Sequence, residues 1–228
     1  MTAQWEPVVQ ELVGRFASAS NATLLATTED GDLVVYKPAR GERPLWDFPR
    51  ESLAWREVLT YRVGAALGFD LVPETVIGDG PLGPGSIQRF VEHDSTYDPI
   101  ADVRACDPRL WPCAVLDVVC NNADRKLGHI LRDSAGGLHA IDHGLTFHPD
   151  DKLRTVLWGF AGLPVPDTAL AALDRLRDAL DGPLAGDIAS ALGDPSLGAL
   201  RERVARLRQS GVHPEPPDDR PPLPWPPY

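Results

Sequence analysis

Asp124, Arg125 and His129 sit in a short polar run directly after the apolar stretch LWPCAVLDVVCNN, and Asp142 ends the strand-like stretch that follows, all within DVVCNNADRKLGHILRDSAGGLHAIDHGLTF, Asp117 to Phe147. A polar turn set against a buried helix is costly unless its groups are paired or used. Two carboxylates on separate rigid elements suit phosphoryl transfer. One orients or deprotonates an attacking hydroxyl, and the other holds the Mg²⁺ that bridges nucleotide phosphates. Asp124 and Asp142 fit those two tasks.

Apolar spacing places other elements around this segment. A helix is expected around Val8 to Phe16, followed by a hairpin whose two β-rich runs flank the Asp30 and Gly31 turn signal. Between Arg50 and Leu67 the apolar positions Trp55, Val58, Leu59, Val63, Ala66 and Leu67 recur at three and four residues, and Gly68 supplies a stop, so an amphipathic helix is expected there. LVPETVIGDGPLGPGSIQRFVEHD divides into strand, Gly/Pro loop and strand. The stretch LWPCAVLDVVCNN is apolar nearly all round, as a core helix is, with Asp117 its one interior charge. A second hairpin turns at Ala135 to Gly137. Helices resume at Asp167, a candidate N-cap, with Leu170, Leu173, Leu176 and Leu180 in register and Gly182 as a stop, and two further short helices run to Gly211. Eight of the 23 prolines fall in the last 17 residues, which are expected to be extended or disordered.

The segment resembles the catalytic and metal motifs of the phosphatidylinositol 3-/4-kinase superfamily, with NADR as catalytic loop and IDHG as metal strand. Type II phosphatidylinositol 4-kinases and HipA-like kinases are the nearest branches, and a compact actinobacterial family of unknown function is nearer still. The resemblance implies a two-lobed, protein-kinase-like α+β fold and use of ATP with Mg²⁺, or Mn²⁺. It implies Asp124 as catalytic aspartate, Asn122 and Arg125 as its loop partners, and Asp142 as metal aspartate. Upstream, Lys37 in VVYKP matches the lysine that reaches the nucleotide phosphates, and Glu57 its ion-pair partner. GSIQRFV resembles the strand leading into the hinge, with Gln88, Phe90 and Val91 among the groups that would receive adenine. The implied division is an N-terminal lobe over 1–91, a catalytic lobe over 92–211 and a flexible Pro-rich tail over 212–228. Two positions depart from the family. His129 stands where relatives carry an Asn metal ligand, which leaves open a preference for Mn²⁺, an empty metal site or a phosphate contact. SASNAT lacks glycine, so Ser18, Ser20 and Asn21 are assigned with backbone N–H groups to the phosphate loop.

The whole chain limits the partners. A net charge of −11 and a pI near 4.9 disfavour a general nucleic-acid binder. The chain shows no signal-peptide pattern and no run of 18 apolar residues, so a cytoplasmic protein acting on a hydroxyl-bearing substrate, without integral membrane association, is expected. Lys152 and Arg154 are candidates to face an anionic substrate or are ordinary surface charges. Cys106, Cys113 and Cys120, spaced by seven, read as buried free thiols on one helical stripe. Asp117 reads as a satisfied buried acid. Two alternatives stand beside the kinase: an ATP-binding pseudokinase, and a metal-dependent phosphohydrolase built on His139, His143, His148 and Asp142.

Overall fold

The computed structural model describes residues 5–16 and 21–228. Its N-terminal part is a five-stranded antiparallel sheet in the order β1-β2-β3-β5-β4: β1 Val9–Arg15, β2 Leu24–Thr28, β3 Leu33–Pro38, β4 Thr75–Gly78 and β5 Gly85–Arg89. The hairpin turn between β2 and β3 uses Gly31 at φ 85°, a left-handed conformation that costs glycine little. Alternation along β3 turns Val34, Tyr36 and Pro38 into the sheet's core and Val35 and Lys37 the other way. The core on that face is small: Val9, Leu24, Ala26, Val34, Tyr36 and Ile87.

The helix expected around Val8 to Phe16 is β1 instead. Only Val9 of β1 is buried, and the strand pairs with β2 through two register shifts. So short an apolar run fits either period, and the free edge of β2 decided between them.

Helix α1, Leu53–Leu67, joins the two parts and ends at Gly68 in the left-handed region, φ 72°. Its C-terminal half lies in the large core with α3, Trp111–Cys120; α4, Asp167–Ala179; and α6, Asp194–Ser210. Leu59, Val63 and Leu67 are fully buried there with Leu116, Val119, Leu173, Leu176 and Leu200, and each such side chain contributes about 1.5–3 kcal/mol. α1 is less amphipathic than its sequence suggests: Arg56, Glu57 and Thr60 are buried too, whereas Trp55 is 38% exposed. The helix is wedged between the sheet and the main core, so several of its polar positions face protein.

The remaining elements are α2, Ile100–Arg104, the hairpin of β6, Ile130–Arg132, with β7, Leu138–Ala140, and α5, Pro183–Leu192. Asp167 opens α4 as its first residue behind Pro166 rather than as its cap. α6 is a full 17 residues, closed by Gly211. Cys113 and Cys120 are buried in α3, but Cys106 precedes that helix and is only partly buried; all three are free. The Pro-rich segment, expected to be flexible, is extended but tied to the body: Pro224 is buried, and the carbonyls of Pro222 and Pro227 accept hydrogen bonds from Thr155 and Leu127. Among the described residues no helix is long and apolar enough to cross a membrane.

Candidate active site

Lys37 reaches the cleft from β3 because its neighbours in the strand turn the other way. Its Nζ lies 2.5 Å from Glu57 Oε1 on α1 and 2.9 Å from Asp142 Oδ1 after β7. β3 can carry it so close to β5 because position 85 is glycine: a Cβ there would stand 2.3 Å from the Lys37 carbonyl oxygen. Glu57 is buried, and its other oxygen accepts the His143 N–H at 2.9 Å, so one carboxylate fixes both the lysine and the backbone beside Asp142. Asp142 adopts φ 60°, a conformation that Asp tolerates better than most residues, and its carboxylate is half exposed to the cleft. Burial opposes charge on Lys37, but Asp142 and Glu57 outweigh it and hold the ammonium above its ordinary pKa. Burial also opposes the Asp142 carboxylate, yet the Lys37 ammonium keeps it far below the usual range.

The turn after α3 is held from beneath. Asn121 ends the helix in the left-handed region, φ 56°, and its amide donates to the carbonyls of His148 and Asp150. Asn122 donates to Asp117 Oδ1 at 2.9 Å and accepts the Asp124 N–H at 3.0 Å. Arg125 is wholly buried. It lies 3.0 Å from Asp117, donates to the Ile141 carbonyl at 2.9 Å and touches His143 Nε2 at 2.7 Å. Asp117 is thus a satisfied buried acid, with Thr155 as a further partner at 3.2 Å. Asn122 and Arg125 are buried and shape the loop, whereas Asp124 alone of the three is open to solvent, its side chain 29% exposed. Burial raises the Asp124 pKa, Lys126 opposes that and Asp142 adds to it.

Lys126 went unnoticed in the sequence. Its Nζ is 3.1 Å from Asp124 Oδ2. A signal was available: only three of the 22 cationic residues are lysines. All three pair with acids: Lys37 with Glu57 and Asp142, Lys126 with Asp124, and Lys152 with Asp47 at 2.9 Å. Lys152 therefore faces the loop before α1. His129 Nδ1 accepts the Lys126 N–H at 3.4 Å, which leaves the ring proton on Nε2, 3.4 Å from Asp142 Oδ2. Burial pushes the His129 pKa down to about 4 against the pull of Asp142, so the ring is neutral.

The hinge narrows. Gln88 is paired on both sides within the sheet and spends its side-chain amide on Thr75, while the Phe90 N–H goes to the Leu33 carbonyl. Neither is free to meet a ligand through those groups. Among the described residues no intrachain acceptor takes the N–H of Val91 or Glu92. Asn21 Oδ1 accepts the Arg43 N–H, fixing the loop after β3, and Ser18 and Ser20 lie outside the described residues. The three histidines of the hydrolase alternative diverge. His139 bonds Asp133, His143 is buried on Arg125, and His148 meets the Phe48 ring edge-on. No group of three or more metal-ligating side chains converges among the described residues.

No family model matches the chain. Protein Rv2133c of Mycobacterium tuberculosis is 42% identical over 253 aligned residues that cover 94% of this chain and 91% of that protein. Among solved structures, the proinflammatory kinase CtkA of Helicobacter pylori matches with a TM-score of 0.56 at 14% identity, over 91% of this chain and 92% of its own. The golgi casein kinase matches with a TM-score of 0.53 at 13% identity, over 90% of this chain and 72% of its own. Identities that low report fold alone: a two-lobed, protein-kinase-like α+β architecture.

Proposed function

This chain belongs to the family of the mycobacterial protein Rv2133c, and we propose that it is an ATP-dependent phosphotransferase of phosphatidylinositol 3-/4-kinase-like type. The observation that carries the reading is the meeting of Lys37, Glu57 and Asp142 at one point of the cleft, beside the open carboxylate of Asp124. In this reading the adenine edge meets Val91 and Glu92, and Lys37 steadies the nucleotide phosphates. Asp124 orients the acceptor hydroxyl and takes its proton as the oxygen–phosphorus bond forms and ADP departs. Lys126, already against Asp124, offsets negative charge on the transferred group.

Asp142 fits a hard cation: it is an ionised oxygen donor, half exposed in the cleft. One or two carboxylates suffice for Mg²⁺, which keeps water and phosphate as its other ligands. When bound, the metal neutralises phosphate charge. In this reading the acceptor is a soluble hydroxyl compound or a protein, since a chain of net charge −11 is repelled by anionic bilayers.

A second reading has one observation in its favour. With its proton on Nε2 and directed at Asp142, His129 is not poised as a metal ligand. That suits an ATP-binding pseudokinase with little transfer. Thermal-shift titration tests binding first: ATP at about 100 times its Kd stabilises a fold by roughly 2.7 kcal/mol, and no shift with either Mg²⁺ or Mn²⁺ defeats both readings. Binding with ATP turnover equal in the parent, Asp124→Ala and Asp142→Ala leaves the pseudokinase.

A further inference from the structure

The loop that carries Asp124 satisfies its backbone donors in an ordered series. The Ala123 N–H goes to the Leu145 carbonyl, Asp124 to Asn122 Oδ1, Arg125 to the Arg154 carbonyl and Lys126 to His129 Nδ1. The next donor, Leu127 N–H, leaves the catalytic body and bonds the Pro227 carbonyl at 2.9 Å.

The same Pro-rich segment grips the other strip of chain against this loop. The Pro222 carbonyl accepts both the Thr155 N–H at 3.2 Å and the Trp158 Nε1–H at 2.8 Å. Thr155 in turn bonds Asp117 through its hydroxyl and bridges to Arg125 through its backbone. Arg220 pairs with Asp151 at 2.9 Å, and the Tyr228 hydroxyl donates to Asp98 at 3.0 Å, so both ends are fastened. The composition suits the task. Proline offers a carbonyl and no N–H, so a proline-rich strand presents acceptors to a loop with donors to satisfy. Its restricted backbone also loses little entropy on docking.

We propose that the segment Arg220 to Tyr228 is a positioning element of the active site, whose carbonyls hold the catalytic loop and the Thr155–Trp158 strip in register beneath Asp124. Asp124 stays 29% exposed with the segment docked, which separates this role from that of a lid. The large apolar core ends at Leu207, so the core does not depend on the segment. The catalytic part of the inference rests on the phosphotransferase reading; the structural part does not.

The test compares the full chain, a chain ending at Pro217, and Trp158→Phe, by hydrogen exchange, ATP-Mg²⁺ affinity and ATP turnover. The shortened chain is expected to lose protection at 123–129 and 155–158 by at least about tenfold, while α3 and α4 keep theirs. Its ATP affinity and KM for ATP should stay within about twofold and its kcat fall about tenfold or more, since small misplacement of a reacting group is expensive. Trp158→Phe removes one hydrogen bond of about 1 kcal/mol and should loosen 155–158 about fivefold. Unchanged exchange at 123–129 in the shortened chain overturns the proposal, and a rise in kcat overturns it in favour of an inhibitory strap. If α3 and α4 also lose protection, the shortened chain has misfolded and Trp158→Phe decides: no loosening at 155–158 then refutes the hold. If the full chain binds no ATP, the functional reading fails, while hydrogen exchange still decides the structural part.

Discussion

Two charged clusters lie near the turn after β7, and they differ in one respect. Lys37 and Asp142 open onto the cleft, with side chains 21% and 50% exposed, whereas Arg125 and Asp117 beneath the loop are 0% and 1% exposed. Both clusters are tight ion pairs. A buried pair has no room to exchange its partner for a ligand and adds little net stability, although breaking it is costly. A pair at the cleft can give up a contact to a phosphate or a cation. Access to the cleft therefore separates groups that can do chemistry from groups that hold the loop. Glu57 marks the boundary, being buried yet bonded to both Lys37 and the His143 backbone.

The contrast can be broken by substitution. Asp124→Asn should lower ATP turnover by about 10²–10⁴ and leave the denaturation midpoint nearly unchanged; a parental rate removes Asp124 from the chemistry. Arg125→Met should do the reverse first, costing about 3–5 kcal/mol in denaturant unfolding because it strands the Asp117 charge. A cost below about 1 kcal/mol, as at an exposed pair, erases the distinction between the clusters.

A smaller effect is expected from pH. Burial holds His129, His143 and His213 below the ordinary histidine value, so the folded chain keeps them neutral. The unfolded chain takes up these protons near pH 6.5. Stability is therefore full above that pH and falls as pH drops toward the folded values, by up to about 1.4 kcal/mol per unit for each ring. Equal unfolding free energies at pH 7 and 5.5 contradict this. The finest test is Lys126→Met. The ammonium opposes the burial that raises Asp124, so the acid limb of kcat/KM should move to higher pH. A limb that stays in place means that Asp124 does not set it.

Local signals located most of the elements. Glycines 68 and 211 close α1 and α6 in the left-handed conformation, and the apolar run of α3 is a core helix. Legibility failed where a neighbour decided. β1 needed the edge of β2, and the Pro-rich segment needed donors on Leu127, Thr155 and Trp158. In the candidate site, Gln88 and Phe90 were placed in the right strand and turn, but their donors were already taken by Thr75 and Leu33.

The sequence by itself determined the order of the elements, where several of them stop, and which residue types recur in the order lysine, glutamate, hinge, polar loop and acidic strand end. Periodicity, glycine and proline act within a few residues, so a chain read in isolation carries that information. Only the tertiary structure decided which charges meet. Lys37 finds Glu57 at a separation of 20 residues and Asp142 at 105, and Glu57 finds the His143 backbone at 86. Contacts at such separations depend on how the sheet, α1 and the large core pack, and that packing also set Arg125 beneath the loop and left Asp124 open to solvent.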